Sequence, residues 1–129
     1  LIVPFVVALP ALLEEFGLTR VARDRAGSLS FGQRKLLEFA SLLMGEPRLV
    51  LLDEPAAGVN PLMVETMERH IRELHVRGLT FLVVEHDMHL VMRLSDTVIV
   101  LDHGTTIATG PPLEVQRDPL VLDAYLGLA

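Results

Sequence analysis

The chain has 129 residues, enough for one domain with a small core, and its 50% apolar and 22% charged composition excludes a disordered chain. Its formal net charge of −6 argues against nucleic acid as a main partner, because phosphate backbones need a basic footprint. The absence of cysteine excludes disulfides and thiolate metal sites, and a single tyrosine with no tryptophan leaves few platforms for stacking bases or sugars.

Leu1 to Leu13 is an apolar run broken by Pro4 and Pro10. It is shorter than the roughly 20 residues of a membrane-spanning helix and lacks the basic region that opens a signal peptide. It reads as a buried segment of a domain whose start is missing, in keeping with a first residue that is not methionine. Ala11 to Phe16 is the end of a helix, stopped by Gly17, and Leu18 to Gly27 is a short helix and a loop. Ser30, followed three residues later by Gln33, forms a capping box. The helix it opens buries Leu36, Phe39, Ala40 and Leu43 and ends at Gly45 and Pro47.

Leu49–Leu52 is a continuous apolar run, the pattern of a strand covered on both faces. Asn60 caps a helix with Pro61 at its first position; Val64, Met67, Ile71 and Leu74 are its buried stripe, and Gly78 closes it. His70 and His75 fall on the polar side of that helix and read as solvated. Phe81–Val84 is a second strand, Met88–Leu94 a short helix and Val98–Leu101 a third strand. Asp102-His103-Gly104 turns the chain back into Thr105–Thr109; Pro111-Pro112 starts a further helix and Asp118–Leu126 a last one. Alternating strands and helices imply an α/β fold with a mostly parallel sheet and right-handed crossovers. Ligands of such sheets collect at the carboxyl ends of the strands, where Asp53, Glu54, Glu85 and His86 fall.

Asp53 and Glu54 leave the strand as neighbours, and strand alternation points them in opposite directions. One can face a metal while the other faces a water: Asp53 would hold Mg²⁺ through its hydration shell and Glu54 would orient or deprotonate the attacking water. Two solvated acids ending a strand are the simpler alternative. His86, after a buried strand, could hydrogen-bond a terminal phosphate, could be an ordinary strand-end histidine, or could pair with His89 on a metal. Ser30 and Gly32 open a helix whose free amides favour an anion, and Gly32 leaves the backbone open to a phosphate; taken alone, they read as an ordinary helix cap.

The order of these features narrows the choice. Ser-x-Gly-Gln, an apolar strand with Asp-Glu-Pro, Asn-Pro, then a strand ending in His follow one another, and the set resembles the C-terminal part of an ABC transporter ATP-binding subunit over nearly all of residues 18–129. Leu29-Ser30-Phe31-Gly32-Gln33 is similar to the family signature, usually Leu-Ser-Gly-Gly-Gln; Leu49–Asp53 resembles Walker B, Glu54 the catalytic glutamate and His86 the switch histidine. Ala56-Ala57-Gly58-Val59-Asn60-Pro61 resembles the D-loop. Phe31 replaces the first signature glycine, and Asn60 stands where many members carry Asp. That D-loop, the aromatic in the signature, and the tail from Asp102-His103-Gly104 through Gly110-Pro111 and Glu114-Val115 to Ala124-Tyr125-Leu126-Gly127 look most like the branched-chain amino acid import ATPases.

The resemblance implies a P-loop NTPase-like sheet with flanking helices, here incomplete. Residues 1–45 would be the end of a helical subdomain with the signature helix, 46–110 the α/β core, and 111–129 a C-terminal helical tail. It implies ATP and Mg²⁺ as ligands, with Ser30, Phe31, Gly32 and Gln33 on nucleotide, Ala57, Gly58 and Asn60 in the D-loop, Asp53 on the metal, and Glu54 and His86 catalytic. The implied partners are a second ATP-binding subunit and membrane permease subunits, with the protein peripheral on the cytoplasmic face of the inner membrane. A phosphate loop, Gly-x-x-x-x-Gly-Lys-Ser/Thr, is not in the chain: the only lysine, Lys35, follows Arg34 inside the signature helix. Neither glutamine, Gln33 or Gln116, is placed for the family's glutamine loop. The chain alone is therefore expected to bind ATP weakly or not at all, to show no turnover, and to self-associate through an unpaired sheet edge. A non-catalytic module that only docks on a partner ATPase is the alternative; a soluble ABC-type ATPase of DNA repair or translation fits less well, given the net acidity.

Overall fold

The computed structural model describes residues 3–126, with side chains over 9–125. The first two residues and Gly127 of the expected tail lie outside that range. Two compact units form, Leu1–Val84 and Glu85–Ala129.

In the first unit, helix α1 (Val3–Glu15) carries Pro10 in its interior. It ends where Gly17 turns left-handed at φ +67°: Leu18 N–H donates to Leu13 O at 2.7 Å and Gly17 N–H to Glu14 O at 3.0 Å. This is the paired closure that buries the residue after the glycine, here Leu18. Of the described side chains of the apolar run, Leu9 is exposed and Leu12 and Leu13 are half-buried. Two single 3₁₀ turns, Thr19–Val21 and Ala26–Ser28, stand where a short helix and loop were expected. Helix α2 (Phe31–Leu43) buries Leu36, Phe39 and Ala40. Strand β1 (Leu49–Asp53), helix α3 (Pro61–Val76) and strand β2 (Thr80–Val84) make one parallel β-α-β unit, with Leu51 opposite Leu82 and Asp53 opposite Val84. Gly78, at φ +99°, closes α3 as Gly17 closes α1, with Leu79 N–H on Leu74 O at 3.1 Å. The core gathers around Phe39, whose ring meets Phe16 edge-on at 5.5 Å and Phe81 at 6.2 Å.

Two expectations fail here. β1 is covered on one face only: Val50 is buried, while Leu49 and Leu51 are exposed, as are Leu82 and Val84 on β2. The period of 2 puts all four on the same side of the pair, away from the helices of this unit. And His70 is buried, not solvated. α3 packs a wider arc than its apolar stripe, because the ring of Phe16 lies stacked on the imidazole at 4.3 Å. His75 is exposed, with Nδ1 3.0 Å from Leu79 O.

In the second unit, helix α4 (Met88–Leu94) leads into the hairpin β3 (Val98–Asp102) and β4 (Thr105–Gly110). Its two-residue turn has His103 at φ +46° and Gly104 at φ +79°, the double left-handed conformation such hairpins need. Helices α5 (Pro112–Val115) and α6 (Pro119–Leu126) follow. Val98, Val100, Val115 and Val121 form the core, with Met88, Val91 and Met92 of α4 packed against it. Among the described residues no helix is long and apolar enough to cross a membrane.

Candidate functional site

The capping box forms as the sequence predicts. Gln33 N–H donates to Ser30 Oγ at 3.2 Å, and Ser30 N–H donates to Gln33 Oε1 at 2.9 Å. Phe31, the first residue of α2, is exposed, with Lys35 Nζ 5.8 Å from its ring centroid. Gly32 lies against the Met63 side chain at the start of α3: a Cβ there would meet Met63 Cε at 2.7 Å. Gly58, left-handed at φ +69°, lies by Phe31: a Cβ on it would sit 3.9 Å from Phe31 Cζ. The fold therefore brings the Ser30–Gln33 turn against the Ala57–Asn60 loop. Asn60 Oδ1 accepts from Met63 N–H at 3.0 Å and caps α3.

Asp53 is the last residue of β1 and is exposed. Glu54 departs from strand geometry: its φ is +43°, in the left-handed region that a glutamate seldom occupies. Strand alternation thus does not set the direction of its side chain, as the sequence suggested. Two bonds hold the conformation: Glu54 N–H donates to Val84 O at 2.8 Å, and Glu54 O accepts from Ala57 N–H at 3.0 Å. Pro55 is buried directly after it.

No group of three His, Cys, Asp or Glu converges among the described residues. One carboxylate is nonetheless the donor set that Mg²⁺ takes when phosphates and water complete its shell. Asp53 fits that use. An open groove of about 290 Å³, lined in part by Leu43, Arg48, Leu74 and Arg77, lies by the amino end of β1, away from these carboxylates.

In the second unit His86 follows β2 on a turn fixed by its neighbours. The Glu85 side chain is 1% exposed, and its Oε2 accepts from His86 N–H at 3.1 Å and Asp87 N–H at 3.5 Å. Asp87 Oδ1 in turn accepts from His89 N–H at 2.9 Å and Leu90 N–H at 3.2 Å, capping α4. The imidazole of His86 is left 74% exposed. The bracketing by two carboxylates was not read from the sequence, although Asp87 ahead of an apolar helix is a cap signal.

Comparison with known proteins agrees with this order of features. Residues 7–57 match the model of the ABC transporter family, and residues 105–128 that of the branched-chain amino acid ATP-binding cassette transporter. The chain belongs to the ABC transporter ATP-binding proteins. It is 43% identical over 118 residues to the high-affinity branched-chain amino acid transport ATP-binding protein BraF of Pseudomonas aeruginosa, covering 91% of this chain and 46% of that protein. The lipopolysaccharide export system ATP-binding protein LptB of Acidithiobacillus ferridurans is 36% identical over 116 residues, covering 90% and 48%. The chain thus spans about half the length of the curated relatives it matches. The crystal structure of an ATP-binding cassette of an ABC transporter in its ADP conformation superposes with a TM-score of 0.86 at 35% identity, over 95% of this chain and 50% of that one. The fold is that of the ATP-binding cassettes, a P-loop NTPase fold.

Proposed function

We propose that this chain carries the signature and Walker B part of an ATP-hydrolysing subunit that drives uptake of branched-chain or similar amino acids. The observation that carries the reading is Glu54, a non-glycine residue held left-handed at the end of an apolar strand. Strain of that kind persists where the surrounding structure imposes it, and clusters at active sites. Its carboxylate would orient the attacking water, while Asp53 would hold Mg²⁺, whose charge offsets that of the phosphates when nucleotide is bound. His86 would hydrogen-bond the terminal phosphate. Ser30, Phe31, Gly32 and Gln33 would face the nucleotide held by a second ATP-binding subunit, with Ala57, Gly58 and Asn60 lining the joint between the two. Permease subunits at the cytoplasmic face of the inner membrane would complete the transporter. The match of residues 105–128 to the branched-chain family model supports the substrate class.

The test is ATP turnover by the complete ATP-binding subunit, compared with Glu54→Gln. Turnover is expected to fall by about 10²–10⁴, the usual contribution of a positioned base, with nucleotide binding retained. Turnover within twofold of the parent would sink the assignment of Glu54. Uptake of labelled leucine by the assembled transporter, lost in the same variant, checks the substrate class.

A further inference from the structure

The imidazole of His86 is 74% exposed, with Nδ1 4.0 Å from Glu85 Oε2, and the turn that carries it is held through its backbone as well. The structure holds both polar groups of that residue's main chain with side chains. Buried Glu85 takes the N–H at 3.1 Å, and the Tyr125 hydroxyl donates to the carbonyl at 3.4 Å. Tyr125 is the chain's one tyrosine and is 39 residues from His86 in sequence. It lies on α6, four residues after Val121, which is buried in the core of this unit. Residues four apart share a helix face, so the packing of Val121 presents Tyr125 on the side that meets the His86 turn. Asp118 Oδ1, accepting from Leu120 N–H at 2.8 Å, fixes the start of the same helix. α4, which begins right after the turn, packs Met88, Val91 and Met92 on that same core.

We propose that Tyr125 is a positioning residue for His86: with Glu85 it clamps the His86 peptide groups, and through it the C-terminal helix sets where the imidazole stands. The proposal rests on the reading of His86 as the group that faces the terminal phosphate. Tyr125→Phe removes the hydroxyl and keeps the ring.

The experiment uses the complete cassette, in parent, Tyr125→Phe and His86→Ala forms, with ¹⁵N-labelled aspartate and ATP turnover measured on each. The Asp87 amide shares its peptide group with the His86 carbonyl. In Tyr125→Phe its resonance should move and its exchange quicken, with the melting temperature unchanged. Turnover should fall about two- to tenfold, the worth of one net hydrogen bond, through kcat and not KM for ATP. An Asp87 amide that stays in place overturns the clamp, and a shifted amide with unaltered kcat overturns the positioning role. If His86→Ala turns over like the parent, the reading of His86 fails instead, and the amide shift judges the clamp by itself.

Discussion

His70 offers a sharp test of the packing in the first unit. It is 2% exposed, stacked on Phe16 with the ring planes 23° apart, and its Nδ1 has no hydrogen-bond partner among the described residues. Burial holds its pKa below the ordinary 6.5, and Arg69 pushes the same way; Glu73, with Oε2 3.9 Å from Nδ1, and Glu15 oppose it. The unfolded chain therefore takes up a proton near pH 6.5 that the folded chain refuses. The stability present above that pH is lost as the pH falls toward the depressed folded value. One proton changes stability by at most about 1.4 kcal/mol per pH unit. Going from pH 7.5 to 5.5 spends about one unit below the unfolded pKa, which limits the loss to about 1.4 kcal/mol. Urea unfolding of the parent and of His70→Phe at both pH values measures this. The phenylalanine keeps a ring on Phe16 and cannot titrate. Carboxylates titrate alike in both proteins, so the difference of differences isolates the imidazole. Equal losses in the two proteins would refute the reasoning.

Two further outcomes follow from the same geometry. Ser30→Ala removes the acceptor of the Gln33 amide and should cost about 1 kcal/mol in urea unfolding; Ser30→Gly should cost only a few tenths. Leu51 and Leu82, paired across β1 and β2, are 65% and 55% exposed. Leu51→Lys with Leu82→Lys should shift the isolated chain toward monomer in light scattering, changing stability by no more than about 0.5 kcal/mol; an unchanged mass would clear this face of any part in association.

The elements were legible where one local rule sets them. Ser30 with Gln33 foretold the start of α2, and Gly17 and Gly78 foretold the ends of α1 and α3, because a cap or a left-handed closure involves only residues within one turn. The Asp102–Gly104 turn and the helix from Met88 to Leu94 were readable for the same reason. The candidate site was legible as an ordered set of motifs, and the comparisons support the family those motifs resemble.

What the sequence could not decide depends on partners distant in the chain. An apolar run such as Leu49–Leu52 says that a strand wants burial, but which face is covered depends on what packs there, and here one face stays open. The histidine at 70 looked solvated because its helix position is polar in pattern; the ring of Phe16 arriving from α1 buried it. Gly32 meets the Met63 side chain of the next helix, a contact that only folding makes. Strand alternation alone would point Glu54 opposite to Asp53; its φ of +43°, with its amide on Val84 O across the sheet, sets it otherwise. Sequence by itself determined the helix caps, the strand composition and the order of motifs, since those follow from neighbours in the chain. Tertiary structure decided burial, backbone strain and the bracing of His86 by Tyr125, since each needs a group that only folding brings close.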